Sequence, residues 1–325
     1  MLIGCGSISR LHAERILRNP QCRLAALFDP VVPSAEALKK EMAPGAELFS
    51  DFDRLLKAVA NRSSVAAVIC SPTHLHFEQT AALRSVGVPV LCEKPLADSR
   101  RRIETLVADA ASGPLLTVAY QRRTWSTFRT LRRIVAGQQF GPVRGITAHC
   151  PEQWSPGIVG TWRNDPAMNP GGFVGDAGSH KIDQLFFVTG LTPVEVFAHG
   201  SRRDRNVEIM VSVSARLSGP HADDVIASLN FVGDANHYRE DFHVHCAEAD
   251  LMIRDDRLWI GRGNRVEPLE SAAALEPESD PIAAFTATLL GQAPNFAPPQ
   301  CALPVWDFTQ AILTSIGTGQ PIRMT

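Results

Sequence analysis

The first third of the chain alternates short apolar runs with stretches of helical period. After "MLI", a helical pattern covers residues 9–17, and "CRLAALFD" (22–29) follows as a strand. "SAEALKKEMA" is predicted as a helix with Ser34 as its N-cap, and "DFDRLLKAVA" as another helix. Beyond them "SVAAVICS" is a buried strand, and "HFEQTAALRSVG" is a helix stopped at Gly87. "VPVLCEKP" is a strand, "DSRRRIETLVADAASG" a helix ending at Gly113, and "LLTVAY" (115–120) the last strand. Strands joined through helices by short links are parallel, and uninterrupted apolar strands are covered on both faces. The pattern predicts an α/β doubly wound parallel sheet over residues 1–119, with its ligand crevice at the carboxyl ends of the strands.

From residue 120 to 325 the pattern changes. Residues 151–172 are irregular, and one helix, "GSHKIDQLFFVTG", follows. Then come "VEVFAHG", "EIMVSVSARL", "DVIASLNFVG", "DFHVHCAEADLMIR" and "RLWIG", which alternate apolar with polar positions and read as strands. Such alternation predicts an α+β domain built on an open, mostly antiparallel sheet with one solvated face. "EPLESAAALEPESDP" is expected as a solvated loop with a short helix, and residues 304–318 as a final helix.

A length of 325 residues fits two domains. With 45% apolar and 20% charged residues the composition is that of a globular protein. A net charge of −2 supplies no electrostatic case for nucleic acid or an anionic membrane, and no apolar run would span a bilayer. Seven cysteines without a C-x-x-C pair point to free thiols in a reducing, cytoplasmic setting.

"IGCGSIS" has the form of a dinucleotide-binding turn. Gly4 makes the turn, Gly6 lets backbone approach a pyrophosphate, and Ser9 is small enough for close helix packing. Backbone contacts are expected from Gly4, Gly6, Ser7 and Ile8. Asp29 lies 23 residues beyond Gly6, where a carboxylate meets the adenosine ribose and repels a 2′-phosphate. No Arg or Lys follows it until Lys39, so NAD is favoured over NADP. Only Met1, Leu2 and Ile3 precede the turn, where a central strand belongs. Three residues are expected to be too few for it, and the natural start is expected to lie upstream of Met1.

Two other stretches carry chemistry. "CEKPLA" places Glu93 and Lys94 at the carboxyl end of a parallel strand. "NPGGFVGDAGSHKIDQL" places Asp176 and His180 four residues apart, expected on one face at the start of a helix with Asp183 nearby. The plainer alternatives are a surface lysine before a proline turn and a carboxylate held near a helix N-terminus.

These stretches, with "SPTHLHFEQT" and "AYQRRTW", resemble the glucose–fructose oxidoreductase and inositol dehydrogenase family (Gfo/Idh/MocA) over nearly the whole chain. The resemblance implies an NAD(P)-dependent enzyme that moves hydride at a hydroxyl-bearing carbon of a sugar, cyclitol or related polyol. It implies a Rossmann domain followed by a substrate domain whose open sheet makes a homo-oligomer, a dimer or tetramer. It assigns Lys94 to the reacting oxygen, His180 to acid/base work and Asp176 to positioning that histidine. Pro72, Thr73, His76, Glu93, Lys94 and Gln121 are expected on the cofactor side. Arg123, Trp162 and Arg163, with Asp176 and His180, are expected on the substrate side; a Trp–Arg stack within the loop is the alternative for the middle pair. No metal is expected: His243 and His245 share a strand face without a third ligand. Two other functions stay open: a dinucleotide-binding sensor without turnover, and redox-assisted elimination or hydrolysis on a sugar.

Overall fold

The computed structural model describes residues 1–60, 62–269 and 275–324. Much of the loop and short helix expected in "EPLESAAALEPESDP" therefore lies outside the described residues. The chain divides into two compact units, Met1–Gln121 with Ser279–Leu303, and Arg122–Glu278 with Pro304–Thr325. The expected division at residue 119 is thus joined by a second crossing, since residues 279–303 return to the first unit.

The first unit contains β1 (Leu2–Ile3), α1 (Ser7–Arg18), β2 (Ala26–Phe28), α2 (Val32–Met42), β3 (Glu47–Phe49), α3 (Phe52–Val59), β4 (Ala67–Ile69), α4 (Thr73–Ser85), β5 (Val90–Cys92), α5 (Arg100–Ala110) and β6 (Leu116–Val118). The sheet order is β3-β2-β1-β4-β5-β6, all parallel, with the switch of direction between β1 and β4. Its inner strands are buried along their length, which is why they are apolar without alternation.

Leu2 and Ile3 form the central strand β1. Leu2 and Ile3 are fully buried and pair with Leu27 and Phe28 on one side and Val68 and Ile69 on the other. The Met1 carbonyl also accepts the Val68 N–H at 2.9 Å. The neighbouring strands are themselves only three residues long, so a short central strand matches its ladder. Burying each of these two side chains contributes about 1.5–3 kcal/mol.

Several helices begin on capping side chains. Asp51 accepts the Arg54 N–H, and Ser99 accepts the Arg102 N–H. The expected cap Ser34 instead lies inside α2, which begins at Val32 with Val31 as its N-cap and Pro33 in its first turn. A proline there fixes φ for a helix start and overrides the serine signal. Gly87 takes φ +84° just after α4, the left-handed stop its position predicted.

The second unit contains α6 (Ser126–Ala136), β7 (Val143–Pro151), α7 (Gly172–Gly175), α8 (Ser179–Thr189), β8 (Thr192–Ser201), β9 (Met210–Gly219), β10 (Ala222–Val232), β11 (Asp241–Cys246), β12 (Asp250–Arg254), β13 (Arg257–Arg262) and β14 (Arg265–Pro268). Later come α9 (Pro281–Leu289) in the first unit, α10 (Ala302–Thr318), and β15 (Ile322–Arg323) in the second. The nine-stranded sheet runs β14-β13-β12-β11-β7-β10-β9-β8-β15, antiparallel except where β7 meets β10. On β9 and β10 buried and exposed residues alternate, leaving one face solvated. "DFHVHCAEADLMIR" is two strands, because β11 and β12 form a hairpin across residues 247–249. β7, which the sequence reading did not anticipate, lies inside the sheet with Ile146, Ala148 and Cys150 buried in alternation.

Gly4 offers a test of the first turn. Its φ is +90°, and an added Cβ would sit 2.8 Å from the Ser71 nitrogen on the β4–α4 connection. Gly4→Ala combines strain with a backbone clash and should cost at least about 2 kcal/mol. Urea unfolding monitored on the full chain checks this.

Candidate functional site

The dinucleotide side is built at the carboxyl ends of β1, β2, β4 and β5. Gly4 brings the turn against the backbone of Cys70 and Ser71, and Gly6 caps α1 without any side-chain hydrogen bond. Gly6 and Ser7 are exposed, and nothing lies within 4 Å of where a Gly6 Cβ would stand. That open cradle above the uncapped N–H groups of Ser7 and Ile8 fits a pyrophosphate. Ser9 is fully buried where a small third residue is required. α4 also starts without a side-chain cap, at Pro72, with Thr73 buried in its first turn.

Asp29 is half-buried at the end of β2. Its carboxylate accepts the Cys5 N–H from the glycine turn and the Val31 N–H, each at 2.8 Å. These bonds fix one edge of the carboxylate to the turn itself. Burial, reinforced by the Asp29 charge, pushes the Cys5 thiol up to about 12, so Cys5 behaves as a small apolar residue.

Beneath the turn lies an arrangement that sequence reasoning missed. His12, on the buried face of α1 with Ser9, Ala13 and Ile16, brings Nε2 to 2.8 Å from Glu93 Oε1. Glu93 also accepts the Lys94 N–H at 3.2 Å. Burial alone would raise the Glu93 pKa, but His12, with Lys94 and His76, holds it below the usual carboxylate range. The signal was a histidine at helical spacing among apolar-face positions. Glu93 thus ties the start of the Lys94–Pro95 segment to α1.

His76 departs from its expected role. It is 1% exposed, and its ring nitrogens lie 2.7 Å from the Pro95 carbonyl and 2.8 Å from the Ser71 carbonyl. Burial lowers its pKa, against the pull of those two carbonyls. A neutral ring donates to one of them at a time, and the residue serves to tie the β4–α4 turn to the Lys94–Pro95 segment. Gln121 receives a long hydrogen bond, 3.4 Å, from Arg15 on α1.

In the second unit the helix expected over residues 178–190 is α8, and Asp176 lies before it instead of at its start. α7 ends at Gly175, Asp176 adopts φ −88° and ψ −89°, and α8 starts after Gly178. Asp176 and His180 are thus four apart in sequence without sharing one continuous helix. The joint is closely packed: a Cβ on Gly172, whose φ is +54°, would meet Glu208 backbone at 2.9 Å, and one on Gly178 would meet Val174 at 2.7 Å. Asp176, 4% exposed, accepts the Arg163 Nε–H at 2.8 Å, and the Arg163 guanidinium lies 4.5 Å from the Trp162 ring centroid. The stack within the loop is thus formed. His180 is half-buried on the first turn of α8.

The Arg123 guanidinium makes a two-pronged pair with Asp183 on α8, at 2.7 and 2.9 Å, and rests on the Phe187 ring. This pair anchors α8. Among the described residues no three His, Cys, Asp or Glu side chains are grouped to hold a metal. His245 pairs with Asp250, and His243 accepts from Arg254. All seven cysteines are free.

Comparison with known proteins fits this geometry. Residues 1–120 match the model of an oxidoreductase family with an NAD-binding Rossmann fold, and residues 128–252 match the GFO/IDH/MocA C-terminal domain. An inositol 2-dehydrogenase of Rhizobium meliloti is 28% identical over 199 residues, 61% of this chain and 56% of that protein. A glucose-6-phosphate 3-dehydrogenase of Bacillus subtilis is 27% identical over 193 residues, 58% of this chain and 52% of that one. The matched region spans about half the length of these curated relatives. The crystal structure of an inositol dehydrogenase homologue from Azotobacter vinelandii, complexed with NAD+, superposes with a TM-score of 0.85 over 99% of this chain and 96% of that one, at 17% identity.

The Glu93 arrangement has a pH consequence. Its folded-state pKa lies below the unfolded value, so its contribution to stability is complete above about pH 4.3 and drains as pH falls toward the folded value. Glu93→Gln should flatten the acid side of the stability profile between pH 3.5 and 5 while lowering stability at pH 7. Urea midpoints measured across that range provide the check.

Proposed function

The chain belongs to the Gfo/Idh/MocA family of oxidoreductases, and on that premise we propose that it transfers hydride between a nicotinamide dinucleotide and a hydroxyl-bearing carbon of a sugar, cyclitol or related polyol. The observation that carries the reading is the Lys94 segment: its backbone is held by the buried Glu93–His12 pair at the end of β5, beside the open Gly6 cradle.

In this reading His180 takes the hydroxyl proton as general base. The Lys94 ammonium steadies the developing alkoxide, an electrostatic task that needs no metal. Asp176 orients His180, with Arg163 holding Asp176. The nicotinamide, when bound, supplies the hydride acceptor or donor. Gly6, Ser7 and Ile8 present backbone N–H groups to the pyrophosphate. Asp29, its inner edge fixed by Cys5 and Val31, favours NAD by repelling a 2′-phosphate. Pro72 and Thr73 border the same crevice.

Substrate charge can be narrowed. Arg123 is neutralised by Asp183 and Arg163 by Asp176, so neither guanidinium carries surplus charge toward a ligand. A neutral polyol is favoured over an acidic sugar. The solvated face of the nine-stranded sheet supports a homo-oligomer, dimer or tetramer. Free thiols, together with no helix among the described residues long and apolar enough to cross a membrane, support a cytoplasmic setting.

His180→Ala and Lys94→Ala should each lower kcat for polyol oxidation by about 10²–10⁴, with NADH affinity within about threefold of the parent. Steady-state kinetics and NADH fluorescence titration test this. NADH binding without turnover of any polyol by the parent protein would instead favour the sensor reading.

A further inference from the structure

Beside His180 the second unit buries an ionic group that the reaction itself does not use. Glu240, 3% exposed just before β11, accepts the Arg122 Nε–H at 3.0 and 3.2 Å and the Nη2–H at 3.1 Å. The Tyr238 hydroxyl donates to it at 3.0 Å, Lys181 Nζ pairs with it at 2.5 Å, and the Gln184 amide donates to it as well. Arg122 and Lys181 are 5% and 4% exposed. One carboxylate thus gathers two buried cations, and only Arg122 is needed to neutralise it. Burial and Arg122 together lower the Lys181 pKa, while the two cations hold Glu240 ionised against its burial.

A second buried cation on a satisfied carboxylate adds desolvation cost and repulsion, so Lys181 is a poor stabilising device. Its place in the chain gives it another use, because it directly follows His180. Lys181 and Gln184 lie on one face of α8, and Asp183 lies next to His180 on another. Glu240 grips the first face, and Arg123 grips Asp183 on the second. Two tethers on different faces prevent the helix from turning about its axis. A 20° turn would carry a side-chain tip about 2 Å, and a displacement of about 1 Å at a reacting group costs roughly 10²-fold in rate.

We propose that Glu240, acting through Lys181, is a positioning residue that sets the direction of His180. The proposal rests on the acid/base role of His180 given above.

The test is Lys181→Met in the full chain. Methionine keeps the length of the side chain and leaves Arg122 and Glu240 as a neutral pair, so folding should be retained. The expected result is a fall in kcat of at least about tenfold, with KM and NADH affinity within about threefold. The ring ¹H–¹³C signals of His180, assigned with His180→Asn, should also move. Should Lys181→Met not fold, Gln184→Met removes the other α8 tie without changing charge and is read in the same way. Unmoved His180 signals overturn the proposal, as does a kcat within twofold of the parent. If the parent turns over no polyol, the functional reading fails on that observation alone, while the ring signals still decide whether Lys181 orients His180.

Discussion

Taking an ionised side chain out of water costs several kcal/mol unless an opposite charge and good hydrogen bonds are held against it. In this chain such pairs stand beside the residues of the candidate site. Glu93 and His12 lie behind Lys94, Arg163 holds Asp176, and Asp183 and Glu240 hold the helix that carries His180. Each pair must keep its geometry to offset its own burial, so the elements bearing the site cannot drift without losing that compensation. A buried polar group left partly satisfied is costlier than an apolar one, which favours keeping each of these pairs intact.

The first unit applies the same economy to backbone. Its strands are only two or three residues long, and their carboxyl ends bring the glycine turn, Asp29, the α4 start and the Glu93–Lys94 segment together. Gly4 is fixed by contact with the β4–α4 connection, whereas Gly6 faces open space. One glycine therefore serves the fold and the other leaves room for a ligand.

Much of this was legible from residue order. The parallel sheet follows from apolar strands alternating with helices, and the glycine turn and Glu93-Lys94-Pro95 are local motifs whose placement depends on that sheet. The failures share a cause, which is that tertiary partners are invisible in a linear pattern. Arg123 and His76 carry polar groups that a sequence reading assigns to a ligand, yet Asp183 and two backbone carbonyls take them up. Asp176 and His180 have helical spacing, but Asp176 takes a non-helical φ −88° and ψ −89° and precedes α8. His12 went unnoticed because its partner Glu93 is 81 residues away.

The central claim is hydride transfer, and isotope transfer tests it most directly. The protein would be incubated with NAD+ and a panel of neutral polyols deuterated at their hydroxyl-bearing carbons, and the cofactor recovered for NMR. The account predicts deuterium at C4 of the reduced nicotinamide with at least one polyol. Cofactor that binds the protein but gains no deuterium from any member of a broad panel would contradict it.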